Sequence, residues 1–138
     1  MNPDKVFKIT SLFVLIPWVL MMLLPAWYYT SLLINSLVIP ILLSLVYIFY
    51  IVSNFGKAKG DFKSLEGLGR LFKNKGLLLA GWIHYLIFDL FVGAWEWQNS
   101  QEIQMPHLLL VPCLFFTLMF GPAGFVLYLG VRMLYLSL

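Results

Sequence analysis

Apolar residues dominate four stretches of the chain, at about Phe7 to Leu24, Leu32 to Ser53, Leu77 to Trp97, and His107 to Leu127 or beyond. Each is close to the roughly 20 residues that a membrane-crossing helix requires. Between the second and third stretches, apolar residues recur from Phe62 at Leu65, Leu68 and Phe72, with Lys63, Arg70 and Lys73 interspersed. That spacing predicts a short amphipathic helix on the inner leaflet, or a solvated basic loop with some helical content, and Asp61 is placed to cap its start. The last stretch is long for one helix, and Gly121-Pro122-Ala123-Gly124 interrupts it. A kink is the simpler expectation, because proline removes a backbone donor and crowds the preceding turn; a break with a short re-entrant tail is the alternative. The predicted fold is all-α: one membrane domain over residues 1–138, a four-helix bundle with the amphipathic helix between spans two and three.

Composition narrows the function classes. With 62% hydrophobic and 11% charged residues among 138, the chain reads as an integral membrane protein with no room for a separate soluble catalytic domain. Its first partner is therefore the lipid bilayer, and nothing in it points to nucleic acid. The first apolar run resembles a signal peptide but ends in Pro25-Ala26-Trp27-Tyr28-Tyr29 without small residues for cleavage, so an uncleaved first helix is expected. Cys113, the single cysteine, excludes an internal disulfide and reads as a packing residue.

Charge sets the expected orientation. Lys5 and Lys8 precede the first span, Lys57, Lys59, Lys63, Arg70, Lys73 and Lys75 fill the long loop, and Arg132 follows the fourth span. The connections Pro25 to Ser31 and Gln98 to Pro106 carry no Lys or Arg, so the positive-inside rule places both termini and the long loop in the cytoplasm. Trp27, Tyr28, Tyr29, Trp95 and Trp97 would then mark the outer interface.

Inside the third span stand Asp89 and His84. A charged group near the bilayer centre costs roughly 2.5 to 3.5 kcal/mol on insertion scales, so such residues face a bundle interior or a polar cavity. At about 100° per residue, Trp82, Tyr85, Asp89 and Glu96 fall near one stripe, whereas His84 points roughly 140° away from Asp89, nearer Phe88, Phe91 and Trp95. A direct pair within a straight helix is not expected; a joint site would wrap the helix or need a distortion at Gly81 or Gly93. Ser44 and Thr117, at comparable depth, are candidate hydrogen-bond partners for Asp89. No Lys or Arg lies at that depth, and an apolar setting favours an uncharged acid able to donate a proton. Two readings stay open for Asp89: a catalytic or substrate-binding group, or a polar tie between helices. Glu96 and His107 are expected near the outer interface, where they could pair with each other, and Asn35 could join that polar rim. With two histidines at different depths, a haem or di-iron centre is not expected; a metal site built from His107, Glu96 and Glu102 is a background alternative, and the expectation is no cofactor and no metal.

The runs Ser64-Leu65-Glu66-Gly67, Leu79-Ala80-Gly81-Trp82-Ile83-His84-Tyr85-Leu86-Ile87-Phe88-Asp89-Leu90-Phe91-Val92-Gly93, Pro106-His107-Leu108, Val111-Pro112-Cys113-Leu114 and Phe120-Gly121-Pro122-Ala123-Gly124 resemble the abscisic-acid-deficient-four-like family. Similarity is strongest from Ser64 to Arg132, while the first two spans match mainly in length and hydropathy. The resemblance implies a four-helix membrane protein of carotenoid or isoprenoid metabolism, with an epoxide-opening isomerase of the neoxanthin synthase type as the activity. A compact chain without transit-peptide composition resembles a bacterial member, expected in the inner membrane.

Epoxide opening to an allenic alcohol needs an acid and a base in an apolar cleft, which suits Asp89 as donor and His84 or Tyr85 as acceptor or relay. Trp82, Phe88, Phe91 and Trp95, with Thr117 and Ser44, would line a channel for an apolar isoprenoid or carotenoid ligand. A non-enzymatic isoprenoid-binding or accessory protein is the second reading, and a small proton-coupled transporter the third. A homo-oligomer is compatible with all three.

Overall fold

The computed structural model describes residues 2–138. Helices account for its regular structure: α1 (Pro3–Leu23), α2 (Tyr28–Ser36), α3 (Val38–Asn54), α4 (Leu65–Leu71), α5 (Lys75–Glu102) and α6 (His107–Ser137), with no strand among the described residues. Four helical stretches are long and apolar enough to cross a membrane: Pro3–Leu23, Tyr28–Asn54, Lys75–Glu102 and His107–Ser137. Large apolar side chains such as Leu12 and Val52 stand exposed along them, as lipid-facing positions do.

Local sequence explains the boundaries. The Asp4 amide donates to the Asn2 side chain, and Pro3 occupies the first turn, where a missing amide hydrogen costs nothing. Leu37, in the left-handed region at φ 60°, ends α2 and lets α3 begin at once, so the expected second span is two helices in line of sequence. The amphipathic helix of the basic loop is present as α4. Its cap is Ser64, whose hydroxyl accepts from the Gly67 amide at 2.9 Å. Asp61, the expected cap, instead accepts from the Lys63 amide within the preceding turn.

The chain divides into two compact units, one comprising the chain up to Phe13 with Ile39–Ile87, the other Val14–Val38 with Phe88–Leu138. In the first unit, Asp4 pairs with Lys75 at 3.3 Å, and the Trp82 indole donates to the Ser11 hydroxyl at 2.9 Å. These bonds set α1 beside the beginning of α5. Tyr47 and His84 rings meet 6.0 Å apart, tying α3 to the same helix.

In the second unit the decisive feature is the course of α6. Its backbone leaves helical geometry at Phe120 (φ −142°, ψ 64°). Before that point Thr117 contacts Glu96, and immediately after it Gly121 lies against the Asp89 carboxyl, so the chain descends antiparallel to α5 as far as the bend. On the far side, Trp95 packs edge-on against Tyr128, the Tyr128 hydroxyl and Arg132 Nε both donate to Asn99 Oδ1 at 2.6 and 2.8 Å, and the Tyr135 hydroxyl donates to the Gln104 carbonyl at 2.7 Å. Partner numbers fall from Glu96 to Asp89 at the bend and rise after it through Trp95 and Asn99 to Gln104, so the second half of α6 returns the way the first half came.

Gly124 confirms the reversal. A Cβ there would collide with the Thr117 backbone, although seven residues of straight helix span about 10.5 Å along the axis. Pro122, which lacks an amide hydrogen, sits at the bend. The fourth stretch is thus a helical hairpin rather than one kinked helix, its second half running back alongside its first. Arg132 lies level with Asn99, and Tyr135 beside Gln104.

In a Cys113→Ala background, Gln104→Cys and Ser137→Cys should react with an impermeant maleimide from the same side of the membrane; labelling from opposite sides would restore a straight fourth span. Gly124→Leu should abolish the hairpin, because overpacking costs about 1–3 kcal/mol even where side chains can yield. A loss of helical unfolding transition in detergent reports it.

Candidate functional site

Asp89 and Glu96 are seven residues apart on α5, which places them on one face about 10.5 Å apart along the axis. Both are buried, Asp89 at 9% exposure and Glu96 at 0%. Their depth in the second unit comes from the hairpin of α6, which supplies a small residue where each carboxyl needs room. A Cβ at position 121 would collide with the Asp89 carboxyl, so only glycine allows that carboxyl against the start of the returning half of α6. The first residues of a helix carry its positive dipole end, which complements the negative carboxyl oxygens.

Glu96 is held by Thr117. Thr117 Oγ1 lies 2.7 Å from Glu96 Oε2, 3.0 Å from Oε1 and 2.8 Å from the Cys113 carbonyl. A hydroxyl has one hydrogen, so it serves the Cys113 carbonyl or the carboxylate but not both. When Glu96 carries its own proton, it donates to Thr117 Oγ1 while Thr117 donates to Cys113, and every contact is satisfied. Cys113 is itself buried, its thiol directed to the Leu109 carbonyl at 3.4 Å.

The expected rim pairing of Glu96 with His107 is not what the second unit contains. His107 Nε2 donates to the Met22 carbonyl at 2.7 Å, joining the start of α6 to α1. Glu96 lies inside because α5 stays helical to Glu102, several residues beyond the expected end near Trp97. Its position on the Asp89 stripe was the signal for that burial. Asn35 does join a polar rim, accepting from Gln98 Nε2 at 2.8 Å. Trp95 turns its ring toward Phe125 and Tyr128, whereas Phe88 and Phe91 are exposed and 6.0 Å apart.

His84, Tyr85, Trp82 and Ser44 belong to the first unit. Tyr85 and Ser44 are half-buried, and His84 is exposed. Trp82 lies against Phe7 and Tyr85, with ring centroids 5.4 and 5.3 Å away, and lines a cavity of about 350 Å³ with Pro3, Asp4, Lys75 and Leu78. His84 lines another, of about 340 Å³. Neither Gly81 nor Gly93 distorts α5, which is helical from Lys75 to Glu102.

A family model described as ABA DEFICIENT 4-like matches residues 5–128, which takes in both acids, the glycines of the hairpin and the first two spans. The chain belongs to the ABA DEFICIENT 4-like family. The match extends well beyond the Ser64 to Arg132 region where the motifs are densest. No curated protein and no solved structure matches the chain. Family membership, four apolar helices and a buried carboxyl pair together describe a multi-pass membrane protein of this family.

Thr117→Val should cost about 1–3 kcal/mol, the penalty of leaving a buried acid without its partner. Glu96→Gln, which can still donate to Thr117, should cost less than about 1 kcal/mol. Thermal unfolding in detergent measures both, and a larger loss for Glu96→Gln than for Thr117→Val would mean that Glu96 carries charge in the folded protein.

Proposed function

We propose that this ABA DEFICIENT 4-like protein acts on an apolar isoprenoid of the epoxy-carotenoid type, opening the epoxide by proton transfer from Asp89. The observation that carries this reading is the Asp89 carboxyl, deep in an apolar run of α5, fitted against Gly121 where α6 reverses. A carboxylic acid there can deliver a proton to the epoxide oxygen, breaking the carbon–oxygen bond and leaving a hydroxyl group. The adjacent vinylic carbon then loses its hydrogen as a proton, its bonding electrons forming the second double bond of the allene. A carboxyl group has two oxygens, so Asp89 can give a proton through one and take the other proton back. No atom is gained or lost, and the acid is regenerated. Glu96 is a positioning residue: its bond to Thr117 holds the descending half of α6, and with it Gly121, in register with Asp89. The proposed setting is a bacterial inner membrane with the basic loop between α3 and α5 in the cytoplasm.

The near-complete burial of both acids favours a second reading, in which the pair ties helices together and the protein binds or presents an isoprenoid for another enzyme. One experiment separates the two. In cells that accumulate violaxanthin, the wild-type chain should yield an isomer of unchanged mass and Asp89→Asn should lower it about a hundredfold or more, the usual contribution of a positioned acid. Unchanged pigment that co-purifies with the protein supports the accessory reading, and full product from Asp89→Asn at normal expression ends the acid role.

A further inference from the structure

Asp4 and Lys75 stand seven residues before Ser11 and Trp82 on their helices, and the first unit pairs them in that order: Asp4 with Lys75 at 3.3 Å, Ser11 with the Trp82 indole at 2.9 Å. The beginnings of α1 and α5 therefore run parallel and in register, with about 10.5 Å of helix between the two contacts. That interval is not closed. It holds a cavity of about 350 Å³, within the range of small-molecule sites, walled by Phe7, Leu78 and Leu79 and floored by Trp82. Phe7, Leu78 and Trp82 are exposed, so the slot opens sideways between the two helices. Among the described residues its lining carries one acid and one base, Asp4 and Lys75, both at the end where the helices start.

We infer that this slot binds the head of a zwitterionic phospholipid of the phosphoethanolamine type, its ammonium on the Asp4 carboxylate and its phosphate on the Lys75 ammonium. Charge complementarity selects that occupant. An anionic head would gain Lys75 and be repelled by Asp4, and a cationic head would meet the converse. A zwitterion replaces one ion pair by two, each with charge-assisted hydrogen bonds. The existing pair resists little, because both side chains are 71% exposed and exposed ion pairs contribute little stability. An ethanolamine ammonium has three N–H groups to donate to Asp4, whereas a choline head has none. Trp82 does not compete for the phosphate, since its indole N–H is already given to Ser11. The order of groups also agrees: charges stand at the helix starts, and Phe7, Leu78 and Trp82 lie three to seven residues further in, about 4.5 to 10.5 Å deeper, where the glycerol and first acyl carbons would rest. Neither buried acid takes part, so the site stands independently of the proposed epoxide chemistry.

The test places the full-length protein in nanodiscs of equal parts phosphatidylethanolamine, phosphatidylcholine and phosphatidylglycerol with the same acyl chains, transfers it to mild detergent, and counts the lipid it keeps by mass spectrometry. The wild-type chain should keep phosphatidylethanolamine about tenfold over each of the others, the ratio expected of one net charge-assisted hydrogen bond. Asp4→Asn should bring the ratio over phosphatidylcholine to about one and raise the share of phosphatidylglycerol, while Lys75→Gln should lower retention of all three. Both residues are exposed, so thermal unfolding should move little in either variant. Leu78→Trp, which fills the slot and leaves both charges in place, should remove the preference as well. Equal retention of the three lipids by the wild-type chain overturns the inference, as does a preference for phosphatidylglycerol, or one for phosphatidylethanolamine that survives Asp4→Asn or Leu78→Trp. Displacement of the lipid by soluble glycerophosphoethanolamine at equal concentration would make a free phosphate ester the ligand and overturn the lipid as its source.

Discussion

The approach of Gly124 to the Thr117 backbone is the constraint on which the second unit depends. Inside a bilayer, broken helix geometry is tolerated only where protein or a polar cavity surrounds the backbone. Here the surroundings are residues of α5. Asp89 occupies the space that Gly121 leaves open, Glu96 engages Thr117 one turn earlier, and Asn99 collects Tyr128 and Arg132 from the returning half. The polar positions of α5 thus track the two limbs of the hairpin in order. A charge-capable residue in an apolar helix, costly by itself, becomes the partner that makes the reversal affordable.

How far the sequence could be read follows from which forces are local. Backbone groups in hydrocarbon must bond within their own helix, so hydropathy and length located the four long apolar stretches, although α5 and α6 run past the expected ends near Trp97 and Leu127, and the basic loop and its small amphipathic helix were legible in the same way. Tertiary choices were less so. The last run of 31 residues would extend about 46 Å as one helix, against a hydrocarbon core of about 30 Å, and two glycines flank its proline. Those features allow a kink or a reversal equally. What decides between them is the collar of α5 side chains, which no local pattern specifies.

Arg132 shows a cation whose place is set by a specific contact. Eight of nine basic residues flank the first span or fill the long loop, and one cation changes that bias little. Arg132 is instead fixed by its Nε bond to Asn99 Oδ1, which the Tyr128 hydroxyl shares. Glu96 was harder to place from the sequence. Counting depth from the span's expected end near Trp97 put it at the surface, whereas its seven-residue spacing from Asp89 placed it on the buried stripe.

That spacing separates the contributions of the two acids. Glu96 is enclosed on every side and spends its hydrogen-bonding capacity on Thr117, which bonds in turn to the Cys113 carbonyl. Removing its bond would loosen the limb that leads into Gly121. Asp89 is set against Gly121 at the point of reversal, where an added Cβ would collide with its carboxyl. The two acids therefore constrain α6 in different ways, Glu96 through its hydrogen bond with Thr117 and Asp89 through the room that Gly121 leaves for its carboxyl.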